Sequence, residues 1–394
     1  MKESLFNYRF EYENQKYIFN TNNNGLIQIN NDIFTEEERE YLRVNRFWVD
    51  DNEDEIALLE REINHNIQKR QKELELTIAL TNYCNFSCAY CYQNKNEKLM
   101  TTEVANMIIE KIDRILNDNI FEGINIHYFG GEPLLNIPVL IYLDENIKKI
   151  TDKIGIVYKA FLTTNGSMLS KELLQKVKFS SIQLTFDGLE KTHDRLRVSD
   201  HFHFKEEIEL IENIMNFSQA KVLLRTNICK ENKDEIIALH KYIFEKFGNE
   251  RIEINPNRTI KYHQDDSFEM LSVQEYAEVA YQIKLLWSEQ KGKFELPVPR
   301  STPCKFPYGN AYAISPEGYC TFCSGSMDQE KKYFFDVDIE NKKMFSVRKE
   351  CKKCNILPLC LGGCIIQYNL RAGACTYEKY ELKNILISYI KHIS

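Results

Sequence analysis

Cys84-Asn-Phe-Ser-Cys88-Ala-Tyr-Cys91 follows directly on an apolar run, Leu74–Leu80, that reads as a β-strand. The spacing is CxxxCxxC. Three thiolates within eight residues suit three irons of a cubane cluster and leave the fourth iron open to an exogenous molecule. A cluster used only for electron transfer would take four cysteines. Zinc would want a fourth Cys or His close by, and the next such residue after Cys91 is His127.

Outward from this stretch the chain alternates. Strand candidates are 74–80, 124–128, 156–163, 181–186, 222–226 and 252–254, with helical patterns at 102–116, 139–150, 171–176, 205–217 and 233–247. Six such units imply parallel strands with right-handed crossovers. They fall short of the roughly eight of a closed barrel, so the expectation is an α/β fold with an open partial (β/α)6 barrel over 71–290. Chemistry then belongs at the C-terminal strand ends, where the cysteine loop begins.

Residues 1–70 read as a small separate α+β module. Aromatic strand runs flank a turn at Asn22–Gly25, Thr35 and Glu38 form a capping box, and Ile56, Leu59, Ile63 and Ile67 fall at helical spacing. It reads either as a packing module or as a peptide-docking module with an open strand edge. A connecting helix is expected at 272–289. Pro297, Pro299 and Pro303 mark a boundary, and 291–394 reads as a Cys-rich domain with a C-terminal helix, in which 300–380 shows little conventional core and is expected to be held by metal.

The 394 residues are 43% apolar and 28% charged, which excludes a disordered chain. No run approaches ~18 apolar residues, so no membrane helix is expected. A net charge of −7 argues against nucleic-acid binding through bulk positive charge. No secretory h-region opens the chain, and twelve cysteines suit metal chemistry in a reducing cytoplasm better than disulfides.

With Tyr90 before its last cysteine, the CxxxCxxC loop resembles the signature of the radical SAM superfamily. The resemblance extends over nearly the whole chain beyond residue 70. It implies that Cys84, Cys88 and Cys91 hold a [4Fe–4S] cluster whose open iron binds S-adenosylmethionine. Reductive cleavage then yields a 5′-deoxyadenosyl radical that takes a hydrogen from the substrate. Gly130-Gly131-Glu132-Pro133 resembles the family's GGEP segment, with Glu132 where a partner for the SAM amino group stands. Thr164 and Asn165 end the third strand. Thr185 and Asp187, then His193, Asp194 and Arg197, resemble its fourth-strand segment, with Thr in place of Ser. Arg225 ends the fifth strand, where it suits the SAM carboxylate. Ordinary turn chemistry is the other reading of each, and their succession at strand ends favours the cofactor.

Cys304, thirteen residues, Gly318, four residues and Cys323 precede Cys351-x2-Cys354-x5-Cys360-x3-Cys364, ten residues and Cys375. This resembles the seven-cysteine SPASM pattern. It implies two auxiliary [4Fe–4S] clusters, three clusters in all. The first falls to Cys304, Cys323 and Cys364, and the second to Cys351, Cys354, Cys360 and Cys375. Cys320 is expected as the first cluster's fourth ligand, with a free thiol and an open cluster as the alternative. Cys229 is left as a buried thiol. A two-zinc ribbon is the competing reading of these cysteines.

The resemblance implies a peptide maturase that crosslinks a ribosomally made peptide. A thioether is favoured, with carbon–carbon or carbon–oxygen bonds as other outcomes. Its partners would be a precursor peptide with a leader and an external electron donor of flavodoxin or ferredoxin type. Anaerobic sulfatase maturation to formylglycine is the alternative, lowered because 291–303 holds Glu295 and no Asp. A non-catalytic metal scaffold and a small-molecule enzyme are the others. No side-chain general base stands out.

Overall fold

The computed structural model describes residues 1–29, 34–93, 96–248, 251–260, 268–321, 323–326, 332–337, 344–364 and 375–393. The chain opens with β1 (Lys2–Glu3), β2 (Asn7–Tyr12), β3 (Gln15–Asn20) and β4 (Gly25–Ile29), then α1 (Glu36–Val44), β5 (Trp48–Val49) and α2 (Glu55–Arg70). β2, β3 and β4 form an antiparallel meander, and β1 pairs with β5. Glu13 and Asn14 turn β2 into β3 with φ of 49° and 60°, the left-handed pair that matches strand twist. The expected turn joins β3 to β4, and Thr35 and Glu38 form the expected capping box before α1.

The alternation follows as β6 (Glu73–Ala79), α3 (Thr102–Asp118), β7 (Gly123–Phe129), α4 (Ile137–Ile154), β8 (Val157–Thr163), α5 (Lys171–Lys176), β9 (Phe179–Thr185), α6 (Glu190–Leu196), α7 (Phe204–Phe217), β10 (Lys221–Ile228), α8 (Ile236–Phe247) and β11 (Ile252–Arg258). After it come α9 (Val273–Lys291), β12 (Ala311–Ile314), β13 (Tyr319–Thr321), β14 (Lys332–Tyr333) and α10 (Glu378–Ile393). β6 to β11 are parallel neighbours in chain order. Among the helices between β6 and β11 the sequence reading missed α6, which is only seven residues long.

Two compact units emerge: residues 70–271 with 309–342, and residues 1–69 with 272–308 and 343–394. This division corrects the expected one at both ends of the chain. β12 lies parallel to β6, and β13 and β14 follow antiparallel, so 311–333 extends the barrel sheet to nine strands. All four residues of β12 are buried, but four residues are too few to show a period. The N-terminal module is likewise not separate. Leu59, Ile63 and Ile67 of α2 share a core with Phe6, Phe345, Val347, Leu357 and Leu361. Phe10, Tyr17 and Phe19 share another with Ile356, Leu359 and the α10 residues Leu382, Leu386 and Ile390. A unit of about 70 residues is marginal by itself, and the Cys-rich segment adds apolar surface to both clusters.

In the barrel unit, Ile124, Ile126 and Tyr128 are fully buried. Tyr128 is 3.3 Å from the Tyr158 hydroxyl, which donates to Asp144 of α4 at 2.5 Å, so this face of the sheet turns to the helices. The alternate residues line the other face. There His127 Nε2 meets Thr163 Oγ1 at 2.7 Å, Gln183 donates to Thr163 at 3.4 Å, and Asn255 donates to Gln183 at 3.2 Å. Among the described residues no helix is long and apolar enough to cross a membrane.

Two outcomes follow. Deleting residues 1–69 should expose the Phe345–Leu361 apolar face and give an aggregating, dye-binding protein, read by size-exclusion chromatography and 1-anilinonaphthalene-8-sulfonate fluorescence. His240 of α8 is buried beside Thr226 Oγ1 at 3.3 Å, and burial pushes its pKa down to about 4. Between there and its ordinary value near 6.5, the unfolded chain takes up a proton that the folded chain refuses. Acidification across that window should therefore remove roughly 2–4 kcal/mol. The drop should flatten in His240→Gln, measured by urea unfolding from pH 7 to pH 4.

Candidate functional site

The loop that leaves β6 is held by the end of β7. Gly131 N donates to Thr81 O at 2.8 Å, and Glu132 N donates to Tyr83 O at 2.9 Å. A Cβ on Gly131 would lie 2.1 Å from Tyr83 O, and one on Gly130, at φ +143°, would lie 2.3 Å from Thr81 O. Both glycines are therefore required by the backbone of the cysteine loop itself. Pro133 opens the short turn Pro133–Asn136 that leads into α4.

Glu132 is wholly buried. Its carboxylate accepts from Thr164 Oγ1 at 2.7 Å, Asn165 N at 2.7 Å and Leu134 N at 3.0 Å, tying the end of β7 to the end of β8. Burial pushes its pKa up, and these three donors pull the other way. Asn165 Nδ2 then donates to Asn85 Oδ1 at 2.8 Å and lies 3.9 Å from Cys84 Sγ. Phe86 N donates to the same sulfur at 3.4 Å.

A second knot sits at the ends of β9 and β10. Asp187, fully buried, accepts from the Tyr90 hydroxyl and from Asn227 N, the latter at 2.7 Å. Thr185 pairs in register with Arg225, whose Nε donates to Asn227 Oδ1 at 2.8 Å. Ser87 N and Ala89 N donate to Val198 O and Leu196 O, so the cysteine loop is pinned to the segment after α6. Arg197 lies there, buried, with its guanidinium 5.4 Å from the Phe86 ring. Burial works against its charge, but Tyr90, Cys88, Glu207 and Asp187 outweigh it and hold its pKa well above the usual. Glu207 faces His193 at 3.1 Å in the buried interior.

Cys84, Cys88 and Cys91 are half-buried. Burial pushes Cys88 up to about 11, with Arg197 opposing and Cys91, Asp187 and Cys84 adding to the rise. Three crowded thiols with a fixed cation beside them suit a group that takes them as thiolates, and a bound metal deprotonates such thiols outright. The donor set thus fits an iron–sulfur cluster. The structure places Tyr90, Gly130, Gly131, Glu132, Pro133, Thr164, Asn165, Thr185, Asp187, Arg197 and Arg225 in one connected set around this loop. Sequence reading missed Asn85, Phe86, Asn227 and the polar row from His127 to Asn255. The row's signal was a polar residue at alternate positions of otherwise apolar strands.

In the other unit, Cys351, Cys354, Cys360 and Cys375 line one cavity of about 630 Å³. Burial pushes Cys360 up to about 11. Four thiols around one void fit a cubane as well. Cys304 and Cys364 are exposed and belong to this same unit. Cys323 lies in the barrel unit, half-buried, and accepts from Gly325 N at 3.3 Å. Cys320 is 2% exposed within β13. Cys229 is buried, and burial pushes its thiol up to about 12. Among the described residues no three Cys, His, Asp or Glu side chains are grouped to hold a single metal ion.

Residues 78–243 match the family model of the radical SAM superfamily. The radical SAM cyclopropyl synthase TigE of Paramaledivibacter caminithermalis is 24% identical over 372 residues, covering 83% of this chain and 76% of TigE. The chain spans only 39% and 50% of two other curated relatives it matches. Among solved structures, anSMEcpe with bound AdoMet and Cp18Cys peptide aligns at TM-score 0.65 and 18% identity, over 82% of this chain and all of that one. Streptococcus suis SuiB bound to precursor peptide SuiA aligns at TM-score 0.54 and 16% identity, over 94% and 97%. At these identities the likeness is one of fold.

Gly131→Ala must displace Tyr83 and with it Cys84. Rebuilt anaerobically, that variant should form 5′-deoxyadenosine about 100-fold more slowly than the parent, measured by liquid chromatography.

Proposed function

The chain carries a radical SAM domain over residues 78–243, and from it we propose that this enzyme crosslinks a ribosomally made precursor peptide, with a thioether as the favoured bond. The observation that carries the reading is the pairing of a three-thiol loop at the strand ends with a four-thiol cavity lined by Cys351, Cys354, Cys360 and Cys375. A scaffold protein has no need of a three-thiol set. The peptides bound to SuiB and anSMEcpe, whose folds this chain shares, support a peptide substrate.

Cys84, Cys88 and Cys91 hold the cluster that binds S-adenosylmethionine. Cys304, Cys320, Cys323 and Cys364 hold the first auxiliary cluster of a SPASM domain, and Cys351, Cys354, Cys360 and Cys375 the second. When bound, these groups supply a 5′-deoxyadenosyl radical that removes a substrate hydrogen atom, and an acceptor for the electron that bond formation releases. The chain's own residues position and enclose. Glu132 and Asp187 fix the strand ends, Arg197 holds positive charge beside Cys88, and Arg225 stands ready for a carboxylate. An external flavodoxin- or ferredoxin-type donor supplies electrons. Twelve cysteines with metal-ligand spacings suit the reducing cytoplasm.

The leader peptide adds as a further strand to β4, which pairs with β3 alone among the described strands. Successive N–H groups of a strand point to opposite sides, so of Leu26→Pro and Ile27→Pro one removes an outward donor. That variant should lose leader binding about tenfold or more by fluorescence anisotropy, about one lost hydrogen bond to an ordered partner.

The reading is tested by incubating enzyme, S-adenosylmethionine and reductant with the peptide encoded beside its gene. A thioether lowers the peptide mass by two hydrogens and removes one iodoacetamide-reactive thiol. A hydrazide-reactive aldehyde in a sulfatase sequence would instead support formylglycine formation. Cys84→Ala should abolish 5′-deoxyadenosine formation and leave auxiliary iron in place.

A further inference from the structure

The wall of the four-thiol cavity is not neutral. Arg348, Lys353 and Lys379 line it with a single carboxylate, Glu350. A cubane on four thiolates carries a net charge of about −2, and about −3 once reduced, so each fixed cation nearby favours the reduced form. Lys353 and Lys379 are exposed, where salt screens them. Arg348 differs. It is half-buried, and its backbone carbonyl accepts from Cys351 N at 2.9 Å at the start of the turn Lys349–Cys351.

The Arg348 side chain has a built seat. A Cβ on Gly362, at φ +82°, would lie 2.9 Å from Arg348 Nη2, so the missing side chain is what admits the guanidinium. Burial pushes the Cys351 thiol up, and Arg348 opposes it through both charge and a side-chain hydrogen bond. An arginine here stays charged at any working pH and holds a fixed orientation.

We propose that Arg348, seated against Gly362, is a positioning residue that sets the reduction potential of the cluster held by Cys351, Cys354, Cys360 and Cys375. This rests on the auxiliary-cluster reading above. The charge makes that cluster easier to reduce than it would be without Arg348, whatever the peptide being modified.

The test uses full-length protein with Cys84, Cys88 and Cys91 all changed to Ala, so that only auxiliary clusters are rebuilt. Iron and sulfide are counted first. Potentials are then read by redox titration followed by electron paramagnetic resonance. Arg348→Gln should make one of the two reductions about tenfold less favourable, a midpoint about 59 mV lower. The second midpoint should not move. Arg348→Lys should keep most of the parent potential. Two unmoved midpoints at full iron content in Arg348→Gln would overturn the proposal. Should Arg348→Gln bind less iron, Arg348→Lys decides: a midpoint near the parent's supports a charge effect, and a fall of about tenfold at full iron overturns it. Absence of iron from the parent would overturn the auxiliary-cluster reading itself, and the role of Arg348 with it.

Discussion

The backbone of Gly130 and Gly131 lies against the backbone of Thr81 and Tyr83, closer than any side chain would permit. Everything at the strand ends depends on that contact. It fixes where the chain turns out of β6, and so where Cys84, Cys88 and Cys91 stand. Two buried carboxylates then lock the arrangement. An isolated buried carboxylate is costly, but Glu132 receives three donors, and Asp187 receives two and faces Arg197. The donors include the end of β8 (Thr164 and Asn165), the cysteine loop (Tyr90) and the end of β10 (Asn227), so the same bonds that satisfy the charge join β7 to β8 and the cysteine loop to β10.

The second unit is built on another principle. Three remote segments, 1–69, 272–308 and 343–394, join through two apolar clusters. α2 contributes its Leu59–Ile63–Ile67 stripe to one of them, and the β2–β3 hairpin its aromatics to the other. Cys351 and Cys354 pack at the edge of the first cluster, and Tyr8 of β2 lines the four-thiol cavity. The Cys-rich stretch is thus seated on conventional apolar packing as well as on whatever its thiols bind. The module that opens the chain is part of that seat.

The parallel strands and their helices were legible because each is long enough to show its period, and the strand boundaries moved by only one to four residues. The cysteine loop was legible from spacing alone. What escaped were features set by tertiary contact. β12 is four apolar residues with no period, and it becomes a strand only because β6 offers an edge. Residues 1–70 look self-contained because sequence does not show which distant segment covers an apolar stripe. The glycines of 130–131 were legible as a close-approach signal, but the partner is the Thr81–Tyr83 backbone, which no local pattern marks. Arg197 was legible as a residue of this site, but its stacking on Phe86 of the cysteine loop is a tertiary contact that no local pattern marks.

The most direct test of the central claim is iron and sulfide per chain after anaerobic reconstitution of the full-length protein. The account predicts about twelve of each, three cubanes of four, with 5′-deoxyadenosine formed from S-adenosylmethionine. About four iron per chain, or stoichiometric zinc without cleavage, would contradict it and make the later cysteines structural.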